Sequence, residues 1–259
     1  MKVYSLVAKH GEPRYLQAAQ GNYWFWQRGY DVVPFNREQL TSGELDDDLI
    51  GDIENTIVYA SVAVIHEAIE RAGRPAPPFI DFPAELSRFY GRAIRKTIFG
   101  VIKQWAQTES DLLPVHVKPL DRDKLFTVKV VRDNRDLSSL SGIPNDDRVI
   151  AQEVITFVSE WRAYVLRGNV LNVAHYKGVP LSFPDTKTIS DALDSFSNGP
   201  IGYGMDWGVT EDGRTLLVEV NDGFALGNYG IRGHHYTALI EARWRQLMGL
   251  ADNGVGMEH

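Results

Sequence analysis

Apolar and polar positions follow strand and helix periods in turn over the first eighty residues. Three short apolar runs predict β-strands, at residues 2–8, 31–35 and 56–59. A helix with an aromatic face is expected from Pro13, and a second helix is expected between Ser61, a suitable N-cap, and Gly73, a suitable C-terminal stop. Because strands alternate with helices, this part of the chain is predicted to form a small α/β layer.

The pattern changes after a proline- and glycine-rich segment at 73–78, which has the composition of a linker. Residues 84–107 are predicted to be helical, with breaks at Gly91 and Gly100. Helical spacing predicts two more helices, at 186–197 and 233–248. Short apolar runs joined by tight polar turns predict strands at 114–118, 124–132, 148–155, 158–167, 169–176, 202–209 and 214–221.

Composition and charge narrow the functional classes. The chain has 259 residues, of which 44% are hydrophobic and 24% are charged, as in globular proteins rather than disordered or coiled-coil ones. Its net charge of −7 disfavours a nucleic-acid or anionic-membrane surface. The absence of cysteine excludes disulfides, thiolate metal ligands and cysteine nucleophiles. No apolar run approaches the ~20 residues of a membrane span, and the first residues lack a signal-peptide pattern, so we expect a cytoplasmic location.

Several common catalytic motifs are incomplete. Residues 91–97 resemble a phosphate-binding loop, but they lack its second glycine and a preceding strand, so a basic helix face is the better interpretation. The pair His66-Glu67 lacks the second histidine of a metalloprotease helix, and His234-His235 is assigned a structural role. Neither a Gly-x-Ser-x-Gly elbow nor a Gly-x-Gly-x-x-Gly turn is present. Hydrolase and dinucleotide-dependent dehydrogenase activities are therefore disfavoured.

A hairpin in the C-terminal part of the chain gives the strongest chemical signal. Two strand patterns meet at Asp212-Gly213, a dipeptide typical of hairpin turns. Asp206 lies in the first strand, whereas Glu219 and Asn221 lie two apart in the second and therefore share a face. If Asp206 lies on the same face, three hard oxygen ligands converge, as Mg²⁺ prefers. The alternative is a solvated polar face, but the apolar neighbours of Glu219 favour a covered sheet.

Three further features fit a nucleotide site. Lys118 ends an apolar strand, where its ammonium can reach phosphate oxygens. Residues 151–155 form a strand that runs into a connection and can offer backbone groups to a purine. Glu160 and Arg162 lie two apart on the next strand, where they can bind ribose hydroxyls and a transferring phosphoryl group. The alternative for this last pair is an ion pair on a solvated face.

Together these motifs resemble those of the ATP-grasp superfamily, the ATP-dependent carboxylate–amine ligases that include D-alanine–D-alanine ligase and glutathione synthetase. The resemblance covers about residues 90–250 and rests on the order of the elements and on two spacings, Glu153 to Glu160 and Asp206 to Glu219. Details at 117–119, 124–126, 160–162 and 227–230 are most similar to a compact clade of bacteria and phages.

The resemblance implies an α+β fold in which an α/β N-terminal layer precedes an ATP-grasp domain. The N-terminal α/β domain is expected at 1–82 and the ATP-grasp domain at 83–250, with a flexible tail at 251–259. Within the ATP-grasp domain, two mainly antiparallel sheet subdomains are expected to clasp ATP about a hinge near 153–156.

The resemblance also implies roles for individual residues. ATP and two Mg²⁺ ions are the expected cofactors, and the expected metal ligands are Asp206, Glu219 and Asn221. Asn228 and Arg232, in the glycine-rich segment after the metal strand, are expected to border the acceptor substrate. The residues expected to bind the nucleotide are Lys118 at the phosphates, Glu153, Val154 and Ile155 as the adenine hinge, and Glu160 at the ribose, together with Lys124 and Gln152.

One position departs from the family pattern. Many members have an arginine two residues before the metal-binding aspartate, where it stabilises an acyl phosphate, and this chain has Gly204 there. We expect Arg162 and Lys177 to supply the missing positive charge as catalytic cations. The alternative is that activity is impaired.

The activity implied is that of an ATP- and Mg²⁺-dependent ligase, which joins a carboxylate of an amino acid or peptide to an amine through an acyl phosphate. Its expected partners are small-molecule or peptide substrates, with no nucleic acid and no membrane, and the family is compatible with a homodimer. Two alternatives stay open. One is a kinase of the same fold, and the other is a nucleotide-binding protein without catalytic activity, which Gly204 suggests.

Overall fold

The computed structural model describes residues 1–7, 16–120, 126 and 128–256. The N-terminal unit consists of β1 (Lys2–Leu6), α1 (Leu16–Gln27), β2 (Asp31–Phe35), α2 (Arg37–Ser42), α3 (Asp46–Leu49), β3 (Thr56–Tyr59) and α4 (Val62–Arg71). Its strands form a parallel sheet in the order β2-β1-β3, which confirms the predicted strands and the α/β character of this layer. Gly73 adopts a φ of 75° just beyond α4, as expected of a helix stop.

The middle of the chain forms a four-stranded antiparallel sheet, called here the small sheet. Its strands β4 (Ile94–Ile98), β5 (Val115–Pro119), β6 (Lys129–Val131) and β7 (Arg148–Glu153) lie in the order β4-β7-β5-β6. Val117 and Val149 on two of its strands are fully buried and belong to one apolar cluster with Phe99. The elements of this part are a 3-10 turn (Ala84–Phe89), β4 (Ile94–Ile98), α5 (Phe99–Gln107), β5 (Val115–Pro119), β6 (Lys129–Val131), a second 3-10 turn (Asp136–Leu140) and β7 (Arg148–Glu153).

The C-terminal part forms a second four-stranded antiparallel sheet, called here the large sheet. Its elements are β8 (Ser159–Leu166), β9 (Asn169–Gly178), α6 (Thr186–Ser195), β10 (Gly202–Val209), β11 (Thr215–Asp222), a 3-10 turn (Gly223–Ala225) and α7 (Gly233–Met248). The strand order is β11-β10-β8-β9, so the predicted hairpin of β10 and β11 is confirmed. The segment between β7 and β8 connects the small sheet to the large sheet and contains most of the expected hinge.

Helix α7 joins the N-terminal unit to the large sheet. Leu239 and Trp244 of this helix belong to one apolar cluster with Ile57 of β3 and Tyr164 of β8. The indole N–H of Trp244 donates a hydrogen bond to the carbonyl oxygen of Thr56 at 2.7 Å. The N-terminal unit and the large sheet therefore share one core. Among the described residues, no helix combines the length and apolarity needed to cross a membrane.

The structure corrects the predicted helix at 84–107. Only Phe99–Gln107 is an α-helix, because Ala84–Phe89 is a 3-10 turn and Ile94–Ile98 is strand β4. Strand β4 pairs with β7, which lies far along the chain, and this pairing overrides the local helical pattern. The interpretation of residues 91–97 as a basic helix face is therefore wrong. The short helices α2 and α3 also have no counterpart in the sequence prediction.

The α+β fold with two mainly antiparallel sheets is confirmed, whereas the domain boundaries at 82/83 and 250/251 stay predictions. The described part of the C-terminal segment contacts the body of the protein. Arg167 forms an ion pair with Asp252 and also donates to the carbonyl oxygen of Val255 at 3.0 Å.

Candidate functional site

Strand β10 has two chemically different faces. Met205 and Trp207 point into the apolar core beneath α6 and are fully buried. The opposite face consists of Gly202, Gly204, Asp206 and Gly208. Arg162 of β8 and Glu219 of β11 pair directly with Asp206, and directly paired residues of antiparallel strands share a face. A row of charged side chains therefore crosses the large sheet.

A β-bulge in strand β11 places Glu219 in this row. Asp206 pairs with Glu219, whereas the next residue, Trp207, pairs with Leu217, so Val218 is the extra residue. As a result Leu217 lies in the core and Glu219 lies on the polar face, although residues two apart on a regular strand share one face. The predicted sharing of a face by Asp206 and Glu219 thus depends on this bulge.

Arg92 binds the bulge from the side of the small sheet. Its guanidinium donates to the carbonyl oxygens of Leu217 and Val218 at 2.7 and 2.6 Å, and its Nε donates to Oε1 of Gln152 at 2.8 Å. Burial lowers the pKa of Arg92 to about 10. One guanidinium thus connects the strand of Glu219 to strand β7 close to the link between the sheets.

Arg162 and Asp206 form a bidentate ion pair on the polar face. Nε and Nη2 of Arg162 each donate to one carboxylate oxygen at 2.7 Å, and both side chains are buried. Burial alone would lower the pKa of Arg162, but the bonds to Asp206 raise it above its ordinary value. A Cβ atom on Gly204 would lie 3.2 Å from Cδ of Arg162 and 3.1 Å from Cδ2 of Leu226. The side chain of Arg162 therefore fills the space over Gly204.

Lys118 links the small sheet to the large sheet. Its ammonium donates to Oε2 of Glu219 at 2.8 Å and lies 3.0 Å from Oδ2 of Asp81. Asp81 belongs to residues 74–83, which contain no helix or strand and are called here the linker. The linker runs beside the free edge of β11, where the carbonyl oxygen of Asp81 accepts a hydrogen bond from the backbone N–H of Val220 at 2.9 Å. Burial would lower the pKa of Lys118, but the two carboxylates raise it. Burial would also raise the pKa of Glu219, but Lys118 lowers it, so both groups are charged.

The predicted metal ligands lie close together. Nδ2 of Asn221 is 3.1 Å from Oδ2 of Asp206 and 3.4 Å from Oε1 of Glu219, so the three side chains converge. Two carboxylates and an amide provide the hard oxygen donors that Mg²⁺ binds. Within the described ranges, no group of three or more His, Cys, Asp or Glu side chains is placed to hold a metal. The residues thus fit an ion whose coordination is completed by phosphate and water oxygens.

The expected adenine-binding residues lie beside the link between the two sheets. Glu153, Val154 and Ile155 line a cleft of about 670 Å³ together with the hairpin turn of β10 and β11. The backbone N–H of Glu153 donates to the carbonyl oxygen of Ala93 at 3.0 Å. Gln152 is held by Arg92, as described above. The structure therefore brings Glu153, Val154 and Ile155 to a cleft at the edge of both sheets, which Gln152 does not line.

Glu160, expected at the ribose, is buried on β8. It accepts a hydrogen bond from the hydroxyl of Tyr176 at 2.9 Å and pairs with Lys177. Lys177, expected to be a catalytic cation, is 68% exposed, whereas Arg162, its proposed counterpart, is buried. Lys124, expected to bind the nucleotide, lies outside the described residues.

Tyr164 of β8 fixes the glycine-rich loop that follows β11. Its hydroxyl donates to the carbonyl oxygen of Gly227 at 2.6 Å and accepts a hydrogen bond from the backbone N–H of Tyr229 at 3.0 Å. The ring of Tyr229 stacks on Tyr176 with centroids 4.9 Å apart, and it lies 4.9 Å from the guanidinium carbon of Arg162. The two tyrosine rings thus border the Arg162–Asp206 pair.

A cavity of about 560 Å³ lies where the N-terminal unit, the small sheet and the large sheet meet. We call it the first cavity. Its lining includes polar and charged residues, namely Asp81, Lys118, Arg162, Glu219 and Asn221, and apolar residues, among them Phe79, Ile80, Phe224 and Leu226. Asn228 and Arg232, expected near the acceptor substrate, do not line it. The side chain of Asn228 accepts a hydrogen bond from the backbone N–H of Gly230 at 2.9 Å, and Arg232 is exposed.

Sequence reasoning missed four residues of the site. Arg92, Tyr164 and Tyr176 gave no signal, because their roles depend on contacts between distant segments. Asp81 had a detectable signal, since it is the acidic residue of the otherwise apolar, proline-rich segment at 77–83.

Comparison with known proteins assigns the family. A model of the ATP-grasp domain, R2K clade family 2, matches residues 89–239. The chain belongs to this ATP-grasp family. No match was found among curated proteins.

Solved structures similar to this ATP-grasp protein span nearly its whole length. D-cycloserine synthetase DcsG superposes with a TM-score of 0.60 at 14% identity, over 95% of this chain and 100% of that one. D-alanine–D-alanine ligase from Bacillus anthracis, complexed with ATP, gives 0.56 at 14% identity over 96% and 98%. L-amino acid ligase from Bacillus licheniformis gives 0.54 at 12% identity over 94% and 75%. At these identities the likeness establishes the ATP-grasp fold.

Proposed function

We propose that this ATP-grasp protein is an ATP- and Mg²⁺-dependent ligase that joins a carboxylate to an amine through an acyl phosphate. Membership of the family supports an ATP-dependent ligase in general. The position of Arg162 carries the finer proposal, because its side chain fills the space over Gly204 and binds Asp206. A guanidinium beside the metal ligands can offset the charge of a transferring phosphoryl group. Arg162 thus takes the place of the arginine that position 204 lacks.

The residues of the polar face would share the remaining tasks. Bound Mg²⁺ would offset negative charge on the phosphate oxygens. The ion would be held by Asp206, Glu219 and Asn221. The ammonium of Lys118 would leave the carboxylates of Glu219 and Asp81 and bind phosphate oxygens instead. In the first step a carboxylate oxygen of the substrate attacks the γ-phosphorus and ADP leaves. In the second step the amine nitrogen attacks the carbonyl carbon, inorganic phosphate leaves with the electron pair of the C–O bond, and a proton passes to solvent.

The nucleotide is proposed to lie between the small and large sheets. Its adenine would contact Gln152, Glu153, Val154 and Ile155, and its ribose would bind Glu160 beside Lys177. The cleft at the link between the sheets and the burial of Glu160 support this placement. The domain at 1–82 would close the substrate side, and we propose an amino acid or a short peptide as the substrate, with no nucleic acid and no membrane as partner.

The test is the release of ADP and phosphate from ATP·Mg²⁺ in the presence of pooled amino acids and short peptides. We expect release that depends on two members of the pool and that Asp206→Asn abolishes. The control is Asp191→Asn, whose carboxylate pairs with Lys187 on the surface of α6. Transfer of phosphate onto a pool member without amide formation would indicate a kinase. ATP binding without ADP formation in any pool would indicate a non-catalytic nucleotide-binding protein, and either outcome would refute the ligase proposal.

A further inference from the structure

Part of the first cavity lies outside the proposed nucleotide cleft. A second cavity, of about 530 Å³, lies against the face of the small sheet that carries Lys118, since its lining includes Ile150 of β7, which pairs with Lys118. This second cavity and the cleft at the hairpin turn belong to the nucleotide cleft proposed between the sheets. The described residues of the N-terminal unit and of the loop after β11 line neither of these two, but Val62, His66 and Phe224 line the first cavity. The proposed nucleotide chemistry gives this part of the first cavity no task.

Three rings meet in this part of the first cavity, and we call them the aromatic corner. The ring centroid of His66 lies 5.8 Å from that of Phe79 and 5.4 Å from that of Phe224. Val62 precedes His66 by one turn of α4 and lines the same cavity. An apolar group that enters the aromatic corner leaves water and gains dispersion contacts, and both effects favour its binding.

A polar group would find little compensation in the aromatic corner. Asp222 also lines the first cavity, but its two carboxylate oxygens accept hydrogen bonds from the guanidinium of Arg243 at 2.7 and 2.6 Å. The other carboxylates and cations of the described lining form the ion pairs of Lys118 and Arg162 given above. A polar side chain placed between the rings would therefore lose its hydration without gaining a carboxylate partner, which is costly.

The apolar lining reaches the proposed site of phosphoryl transfer. A Cβ atom on Gly204 would lie 3.1 Å from Cδ2 of Leu226 and 3.2 Å from Cδ of Arg162, so these two side chains are neighbours. Both line the first cavity, and Leu226 belongs to one apolar cluster with Phe224. A ligand carboxylate near Arg162 would therefore place the rest of a small ligand beside Leu226 and the aromatic corner.

We infer that the aromatic corner binds the side chain of the substrate whose carboxylate is activated, and that this substrate is an amino acid with an apolar side chain, free or at the C-terminus of a short peptide. The inference rests on the proposed ligase function and adds to it the class of the carboxylate substrate. Phe79 would contribute to the choice of substrate, because its ring forms one wall of the corner.

The experiment compares carboxylate donors of similar size and different polarity. Wild type, Phe79→Ser and Phe183→Ser are incubated with ATP·Mg²⁺, hydroxylamine and one donor at a time. The donors are leucine, asparagine and aspartate, each free and as the C-terminal residue of a glycyl dipeptide. The nitrogen of hydroxylamine attacks the carbonyl carbon of an acyl phosphate, phosphate leaves with the electron pair of the C–O bond, and a proton passes to solvent. The product is a hydroxamate, so the assay needs no knowledge of the natural amine.

The readout is the ratio of the rate of hydroxamate formation with a leucine donor to the rate with the matching asparagine donor. This ratio does not depend on the fraction of folded protein, and effects on the nucleotide cancel in it. Phe79 is 40% exposed in the linker, where its replacement is tolerable for the fold. Phe183 is the matched control, because it is 50% exposed and lines neither of the two cavities nor the cleft at the hairpin turn.

In wild type we expect a ratio of about ten or more, as for the burial of one aliphatic side chain. The ratio should fall about threefold or more in Phe79→Ser and should stay at the wild-type value in Phe183→Ser. Wild type that uses asparagine as well as leucine overturns the inference. So does a preference for aspartate, which would indicate an acidic side chain bound by His66, and so does a Phe79→Ser variant with the wild-type ratio.

Wild type that forms no hydroxamate from any of these donors also overturns the inference. The proposed ligase function fails with it only if the pool of amino acids and short peptides also gives no release of ADP. The two failures are therefore distinguishable.

Discussion

Replacement of Arg92 by methionine should lower the stability of the protein at strand β11 and weaken the binding of Mg²⁺. The guanidinium donates to Leu217, Val218 and Gln152 at 2.7, 2.6 and 2.8 Å. A hydrogen bond from a charged donor contributes about 1.5–3 kcal/mol. The net loss should be smaller than the sum of these hydrogen bonds, because water can hydrate part of the freed acceptors at the sheet edge and because the variant no longer buries a charge. We therefore expect a loss of about 3 kcal/mol in the free energy of unfolding, or a fall in melting temperature of about 6–12 °C.

The functional effect should appear in the dependence on Mg²⁺. Since Arg92 binds the two carbonyl groups that precede Glu219, its loss should let this carboxylate move, and the half-saturating Mg²⁺ concentration for ADP release should rise about tenfold. Arg92→Lys should recover less than half of the lost stability, because an ammonium cannot reach the same set of acceptors.

The matched control is Arg95→Met, which removes an exposed arginine from strand β4. It should melt close to the wild-type temperature and keep the wild-type Mg²⁺ dependence. An Arg92→Met variant that melts within about 2 °C of this control would refute the reasoning. So would an Arg92→Lys variant as stable as wild type, since charge alone would then suffice.

Three further predictions concern the polar face and the core. Gly204→Ala should lower the free energy of unfolding by about 1–3 kcal/mol and slow ADP release, because the new Cβ would lie 3.2 Å from Cδ of Arg162; urea unfolding and the ADP assay measure this. Tyr164→Phe should speed hydrogen exchange at the amide of Tyr229 at least tenfold, since a 3.0 Å hydrogen bond is lost, and unchanged exchange would contradict the assigned contact. Burial raises the pKa of Tyr203 from 10.0 to about 12. Its contribution to stability is therefore complete below pH 10 and is lost as the pH rises through 12, and Tyr203→Phe should make urea unfolding less sensitive to pH in this range.

The hairpin of β10 and β11 could be predicted from the sequence because its information is local. The Asp212-Gly213 turn fixes which residues pair next to it, and alternation fixes the faces there, whereas Asp206 and Glu219 share a face only because of the bulge at Val218. Strand β4 could not be predicted, because its partner β7 is remote in sequence and its own residues also suit a helix. The bulge at Val218 could not be predicted either, because this residue is one apolar position among others in an apolar run.

The candidate site was predictable where one strand provides several groups, as with Glu219 and Asn221. It was not predictable where segments from different units meet. The contact between Asp81 and Lys118 exists only because the linker follows the free edge of β11. Likewise, the position of Arg162 over Gly204 follows from the pairing of β8 with β10. The alternation of residues along one strand does not reveal which strand lies beside it.

The shared core around α7 decides which parts of the molecule can move to admit a nucleotide. Since α7 packs with both the N-terminal unit and the large sheet, moving these two units apart would expose their shared core. If the two sheets move about the expected hinge, we therefore expect the small sheet to be the part that moves. It is attached through residues 154–158 and the linker, and it is held in this structure by Lys118 to Glu219 and by Arg92 to β11. Nucleotide phosphates would compete for Lys118 but not for Arg92. Binding would therefore break the contact of Lys118 with Glu219 and leave that of Arg92 with β11, so the small sheet would stay tied to the large sheet at Arg92.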